Sequence, residues 1–231
     1  MNKQESLNAA DSGLAVVSKA GEISADAHAS GHYSFVCRGP KEEYRNIYIG
    51  ITEQAAALIA SDMVEEGNAL LAQYEWMIEE KWTDKVENLV TTVGANLALD
   101  TLLAGSGYTT VGPFMGLINT NASAAAIGDT MASHAGWLEV GNANAPQYTS
   151  PRKTISFSAA AAKSKASTGT YTFAIITTGG TVGGCFLVTG TGALSTIDNT
   201  AGVLYSAGAF TGGSKIVAVS DTITVTYTAT M

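Results

Sequence analysis

"DTITVTYTAT", residues 221–230, is the stretch that decides the fold. Ile223, Val225 and Tyr227 fall on one side of it, and Thr222, Thr224, Thr226 and Thr228 on the other. A period of two in β-branched and aromatic residues is the pattern of a strand with one face in a core. Working back from this strand, seven further short runs read the same way: "GPFMGLI" (112–118), "GWLEV" (136–140), "KTISFSA" (153–159), "TYTFAII" (170–176), "VGGCFLVTG" (182–190), "GVLYSAG" (202–208) and "KIVAV" (215–219). Clusters of Gly, Asn, Ser and Asp separate them. Many short strands with turn signals between them predict a mainly β protein, an antiparallel β-sandwich of jelly-roll-like form. "TTGGT" (177–181) and "TGGS" (211–214) read as tight hairpin turns in which Gly supplies a positive φ. No exact repeat runs through the set, so a solenoid is not expected.

The N-terminal part reads differently. Residues 1–31 form a polar arm of small residues that cannot bury enough surface to fold alone, though it can gain order on a neighbouring subunit. "HYSFVCRG" alternates Tyr33, Phe35 and Cys37 against Ser34, Val36 and Arg38, as a strand does. After the turn at "GPKEE", "YRNIYIGI" reads as a second strand, making residues 32–51 a hairpin. A helix is expected from Thr52 to Asn68, with Gly67 near its stop. "LLAQYEWMIEEKW" alternates Tyr74, Trp76 and Ile78 with Glu75, Met77 and Glu79; its composition tolerates a helix, but the aromatic spacing favours a strand. "TTVGANLALDTLLAGSG" predicts one amphipathic helix. Thr91 or Thr92 caps it, Val93, Leu97, Leu99, Leu102 and Leu103 line its apolar side, and Gly105 ends it over one end of a sheet. The expected organisation is an arm (1–31), a small α/β hairpin and helix region (32–80) and a β-sandwich (81–231).

Charge divides the chain of 231 residues in the same place. Residues 1–100 hold 7 Lys/Arg and 16 Asp/Glu, and residues 101–231 hold 5 and 4. An acidic front without a basic patch argues against nucleic-acid binding, which needs clustered cations. No run of about 18 apolar residues predicts a membrane span, and the N-terminus has no apolar stretch of signal-peptide length. Cys37 and Cys185 are expected as two buried thiols rather than a disulfide.

Three groups of residues invite a chemical reading. Asp129, Ser133 and His134 in "GDTMASHAGWLEV" (128–140) are the parts of a hydrolase triad, but no G-x-S-x-G elbow occurs. Near neighbours bounded by Gly128 and Gly136 also cannot form a relay without distortion, so turn hydrogen bonds and packing of His134 before Trp137 are expected. His28, His32 and Cys37 have too few ligands for a structural zinc site. Glu79, Glu80, Asp84 and Glu87 are interleaved with Lys81 and Lys85, the pattern of a solvated, salt-bridged face. "TTGGTVGG" and "TGTG" lack the Lys-Ser/Thr of a phosphate loop. No catalytic, metal or cofactor residue is assigned, and the chain reads as a non-enzyme.

The stretch from Lys81 to Trp137 carries a resemblance. "KWTDKVENLVTTVGANLALDTLLAGSGYT", then "PFMGLINT", "AAIGDTMASHAGWLEV" and the closing "GVLYSAGAFTGGSKIVAVSDTITVTYTAT" resemble a family of structural proteins encoded by tailed bacteriophages. The likeness spans roughly residues 81–231. "YSFVCRGPKEEYRN" looks like the hairpin that precedes it in such proteins, and residues 50–78 would be an insertion. The resemblance implies a virion protein made in the bacterial cytoplasm, with the His134 motif serving as a fold signature. The expected role is a capsid decoration (cement) protein on the outer shell. Its partners would be the major capsid protein and itself, as a homo-oligomer for which threefold sites would suit a trimer; neither nucleic acid nor membrane is expected. The alternative is a tail or tail-fibre component contacting the host.

Overall fold

A computed structural model describes residues 16–17, 23–24, 29–103, 111–119 and 125–230. β1 (Val16–Val17) and β2 (Ile23–Ser24) pair with each other; the rest of the arm up to and including His28 lies outside the described residues, as does Gly105. The body is mainly β and entirely antiparallel, a sandwich of two principal sheets.

The first sheet is built on β15 (Thr222–Thr230), the strand of strict alternation. Its neighbour β3 (Ser30–Pro40) pairs with it from Thr222↔Arg38 to Thr230↔Ser30. β4 (Ile78–Glu87) lies outside β3, and β10 (Tyr171–Ala174) and β9 (Ser164–Ala166) both pair with β15 on its other side. Both expected alternations hold: Tyr33, Phe35, Cys37, Ile223, Val225 and Tyr227 are buried. The outward threonines are not idle, since Thr222 and Thr224 donate from Oγ1 to the carbonyls of Arg38 and Val36.

The second sheet runs β5 (Leu89–Val90), β13 (Val203–Ala209), β12 (Gly184–Thr189), β6 (Phe114–Asn119) and β7 (Leu138–Glu139), with β8 (Lys153–Thr154) also on β6. Every residue of β12 is buried because this sheet is covered on both faces. Met115, Leu117, Cys185 and Leu187 meet the first sheet, while Ile118, Phe186, Val188 and Leu204 pack under the loop that carries Met131 and Trp137. A bulge between Leu187 and Val188 leaves Tyr205 as an extra residue on β13. It turns both Tyr205 and Ser206 toward the inner core, where Ser206 Oγ lies 2.7 Å from the Tyr33 hydroxyl. One hydrogen bond thereby joins the two sheets.

Several expectations need correction. Residues 44–51 are not a strand: α1 spans Arg45–Ala60, and α2 spans Val64–Gln73. Ile51 and Ala55, one turn apart, are the buried residues of α1, so the helical period wins over the alternating one. Strand pairing was also closed to this segment, since β3 is flanked by β15 and β4. The hairpin expected within residues 32–51 does not form: β3 pairs instead with β4, with the two helices carried in the connection and Lys41 N–H donating to Met77 O (2.8 Å) across its mouth. The strand expected in 70–82 begins only at Ile78; Trp76 is exposed and meets Tyr44 edge-on. β3 and β4 are thus hydrogen-bonded to the sandwich, and a boundary after residue 80 passes through a sheet. "TTGGT" and "TGGS" are not hairpin turns either. β10 and β13, which precede them, do not pair with β11 (Gly180–Val182) and β14 (Lys215–Val217), which follow; β11 and β14 pair with each other. "VGGCFLVTG" accordingly divides between β11 and β12.

α3 (Thr92–Leu103) forms as expected, and Thr91 caps it by accepting the Gly94 N–H (3.1 Å) while its own hydroxyl donates to Leu204 O. Gly94 is the helix's buried residue, and a Cβ there would run into the backbone of Tyr205. Its leucines do not cover a sheet: Leu99, Leu102 and Leu103 are 55%, 74% and 73% exposed. Only the first turn is held on β13, so the apolar side diverges into solvent.

Gly94→Ala is expected to push α3 off β13 and cost about 1–3 kcal/mol of unfolding free energy. Gly50→Ala, inside α1 with open space around its Cβ position, should instead stabilise by about 0.5–1 kcal/mol. Urea denaturation of the two variants against the parent checks both signs.

Candidate functional site

The loop of residues 125–137 gathers Asp129, Ser133 and His134, and the geometry shows what each does. Trp137 is 2% exposed, its ring 5.3 Å from that of Phe186 on the back of the second sheet. A buried indole N–H needs an acceptor. Asp129 Oδ2 supplies it at 3.0 Å and also accepts the Ala126 N–H at 2.9 Å. His134 stacks on the indole, centroids 3.8 Å apart at 13°. Its Nδ1 lies 3.0 Å from Trp137 O, which places the ring proton on Nδ1. Ser133 is exposed and joins Thr130 in a tight turn, its N–H donating to Thr130 O and Oγ1. Among the described residues, no hydrogen bond links Ser133 to His134 or His134 to Asp129. Asp129 and His134 form a cage around Trp137 and Ser133 closes the turn beside it, in agreement with the turn hydrogen bonds and the packing of His134 expected of them.

Two buried charge clusters were not anticipated. Arg152 donates from Nε to Glu139 Oε1 (2.8 Å) and from Nη2 to Glu139 Oε2 (2.6 Å). It also donates to the carbonyls of Leu194 (3.0 Å) and Asn199 (2.7 Å), while Glu139 Oε2 takes the Asp198 N–H (2.9 Å). The guanidinium sits 5.2 Å from the Phe186 ring centroid. One ion pair so fastens the loops 142–152 and 194–199 to β7. Burial pushes the Glu139 carboxyl above its ordinary range, with the bidentate Arg152 pulling the other way.

The second cluster centres on Asp221, the residue before β15. Its Oδ1 lies 3.2 Å from Arg45 Nη1 and 3.6 Å from Lys81 Nζ, and its Oδ2 accepts the Ala218 N–H at 2.8 Å. Arg45 also donates to Val219 O (2.7 Å). The start of α1 is thereby tied to the start of β15. Burial, with the nearby Asp221 carboxylate, pushes the Cys37 thiol up to about 12, and burial alone raises Cys185 well above its usual value. Both cysteines are free.

A sequence signal for these clusters existed. Residues 101–231 contain four acids, and three of them, Asp129, Glu139 and Asp221, are buried. In so charge-poor a segment, an acid placed only for solubility is the exception. The other candidates are dispersed. His32 and Cys37 stand an odd number apart on β3 and face opposite sides of the sheet, and His28 lies outside the described residues. Among the described residues no group of three or more His, Cys, Asp or Glu could hold a metal ion. Glu79, Glu80, Asp84 and Glu87 lie along the edge strand β4, where Asp84 pairs with Lys215 (3.2 Å) and Glu87 with Lys85 (4.0 Å). Lys81 turns instead to Asp221. Charges along an exposed strand edge discourage its pairing with other strands. No described helix is long and apolar enough to cross a membrane.

Comparison of the chain with protein-family models, curated proteins and solved structures finds no match.

The cage sets an order of expected losses in chemical denaturation. Asp129→Ala orphans the indole N–H and should cost about 1–3 kcal/mol. His134→Ala removes the stack alone, about 0.5–1.5 kcal/mol. Arg152→Met strands the Glu139 charge and should cost about 3–5 kcal/mol, the largest of the three. Separately, neither Cys37 nor Cys185 should react with iodoacetamide at pH 8 in the folded protein, and both should react in denaturant; mass spectrometry counts the adducts.

Proposed function

We propose that the chain is a structural protein of a tailed-bacteriophage virion, most specifically a capsid decoration protein that binds the outer shell and stabilises its capsomers. The observation that supports this reading is that the motifs held in common with such proteins meet one another in the fold. Thr91 and Gly94 of "NLVTTVG" close on Leu204 and Tyr205 of "GVLYSAG". "DTMASHAGW" cages Trp137 against β12, and "VTYT" belongs to the strand that anchors the first sheet. Sequences shared for such contacts are shared for a scaffold, and Asp129 and His134 fit that description because their polar groups are engaged around Trp137.

A sandwich of jelly-roll-like form suits shell proteins. In this reading the chain acts by burying surface against the major capsid protein and against other copies of itself, as a homo-oligomer. It acts without catalysis, cofactor, nucleic acid or membrane. The exposed leucines of α3 supply apolar surface for such contacts, since clustered exposed apolar side chains mark interaction sites.

Cryo-electron microscopy of virions carrying this chain tests the assignment. Ordered copies over the icosahedral shell are the expected result, and density confined to the tail or its fibres would overturn it in favour of a tail component. In a capsid-binding assay, deletion of residues 1–28 should reduce occupancy while leaving the melting temperature of the body unchanged, because β3 begins at Ser30.

A further inference from the structure

The bulge at Tyr205 has a second effect, at the end of the sandwich where β3 enters. Tyr205 and Tyr227, with Phe157, Leu187, Pro113 and Ala229, wall a hollow of about 180 Å³ between the two sheets. The hollow is close in size to an engineered cavity of roughly 150 Å³ that stays dry and takes up benzene. Two of its few polar groups are already engaged. The Tyr227 hydroxyl accepts from Asn88 Nδ2 (2.9 Å), and Thr189 Oγ1, also on the wall, donates to Val111 O (2.9 Å). Phe157 meets Tyr227 edge-on with centroids 6.0 Å apart. The one charge on the lining is Lys165 of β9, an exposed residue that forms no ion pair among the described residues. β9 pairs with the end of β15, Lys165 opposite Ala229, which sets the cation at the rim.

We propose that this hollow is a binding site for a compact apolar group of about the size of a benzene ring that carries an anionic substituent, the ring among Phe157, Tyr205 and Tyr227 and the anion at Lys165. The walls select for shape and lack of polarity. An inner polar group would find few partners among these mostly apolar walls, and burying one without a partner is costly. The rim then selects for the sign of charge. The site is independent of where the protein resides, and its failure would leave the virion reading untouched.

Titration of the full-length protein by ligand-observed and protein-observed NMR with phenylacetate, benzyl alcohol and benzylamine tests the site. Phenylacetate should bind most tightly, benzyl alcohol more weakly and benzylamine least. Lys165→Ala, a surface change that leaves the walls intact, should weaken phenylacetate by about two- to fivefold, as expected of one exposed charge contact, and leave benzyl alcohol unchanged. Ala229→Leu, which fills the hollow from its rim, should abolish binding of both. Absence of phenylacetate binding at millimolar concentration to the parent protein would overturn the proposal. So would equal affinity for phenylacetate and benzylamine, or binding that survives in a folded Ala229→Leu variant.

Discussion

The pairing of β15 with β3 is the constraint on which the rest of the molecule depends. It joins a strand near the beginning of the chain to the last described strand, over a register running from Thr222↔Arg38 to Thr230↔Ser30. Closing so long a loop carries a large entropic cost, which only a large gain in burial offsets. The gain comes from one face. Tyr33, Phe35 and Cys37 on one strand and Ile223, Val225 and Tyr227 on the other form a continuous apolar layer, and burial of each large side chain is worth about 1.5–3 kcal/mol. A slip by one residue would turn that layer to solvent and the threonines inward, so the register is fixed by the pattern. The second sheet packs on this layer, and the Trp137 cage packs on the second sheet.

Polar groups within this apolar frame act as locks on loops rather than as chemistry. Arg152 and Glu139 hold two loops beside β7, Asp221 holds α1 and β4 at the start of β15, and Asp129 holds the indole of Trp137. Each carboxylate accepts from more than one donor, as a charge removed from water must. Such locks add specificity where hydrophobic contact alone is undirected, since a bidentate guanidinium accepts few geometries. The connection between β3 and β4 shows the opposite regime. α1 and α2 pack mainly on each other, and Ile47, Ile59, Met63, Val64 and Trp76 remain exposed. The body does not need this helical pair for its core, which suits an element that can vary without unfolding the sandwich.

What was legible in the sequence follows from these forces. The strands β3 and β15, with one apolar face each, declare themselves by alternation, and α3 by its Thr91 cap and helical spacing. The mainly β, sandwich architecture was therefore readable. Residues 44–51 misled because Ile47, Ile49 and Ile51 alternate with period two, while Ile51 and Ala55 carry the helical period that the fold uses. The glycines at 177–181 and 211–214 were recognisable as breaks between strands, but local sequence does not say whether a break returns the chain to its neighbour or sends it to another sheet, nor that Gly180 and Thr181 would enter β11. The packing of His134 before Trp137 was readable, but the bond from the indole to Asp129 was not. Nor was the partnership of Arg152 with Glu139, because it depends on β7 and the loop before β8 meeting along one edge of β6. Leu99, Leu102 and Leu103 make a helical apolar side that the described residues leave exposed, so amphipathicity identified the helix and not its partner.

Native-state hydrogen exchange tests most directly the claim that β3 and β15 carry the structure. Amides shared between these strands should exchange only through global unfolding, with the same free energy as denaturation, whereas amides of α1 and α2 should exchange through a smaller, local opening. Exchange of the β15 amides as fast as those of α1 and α2, with β12 and β13 still protected, would contradict the account and place the foundation of the fold in the second sheet.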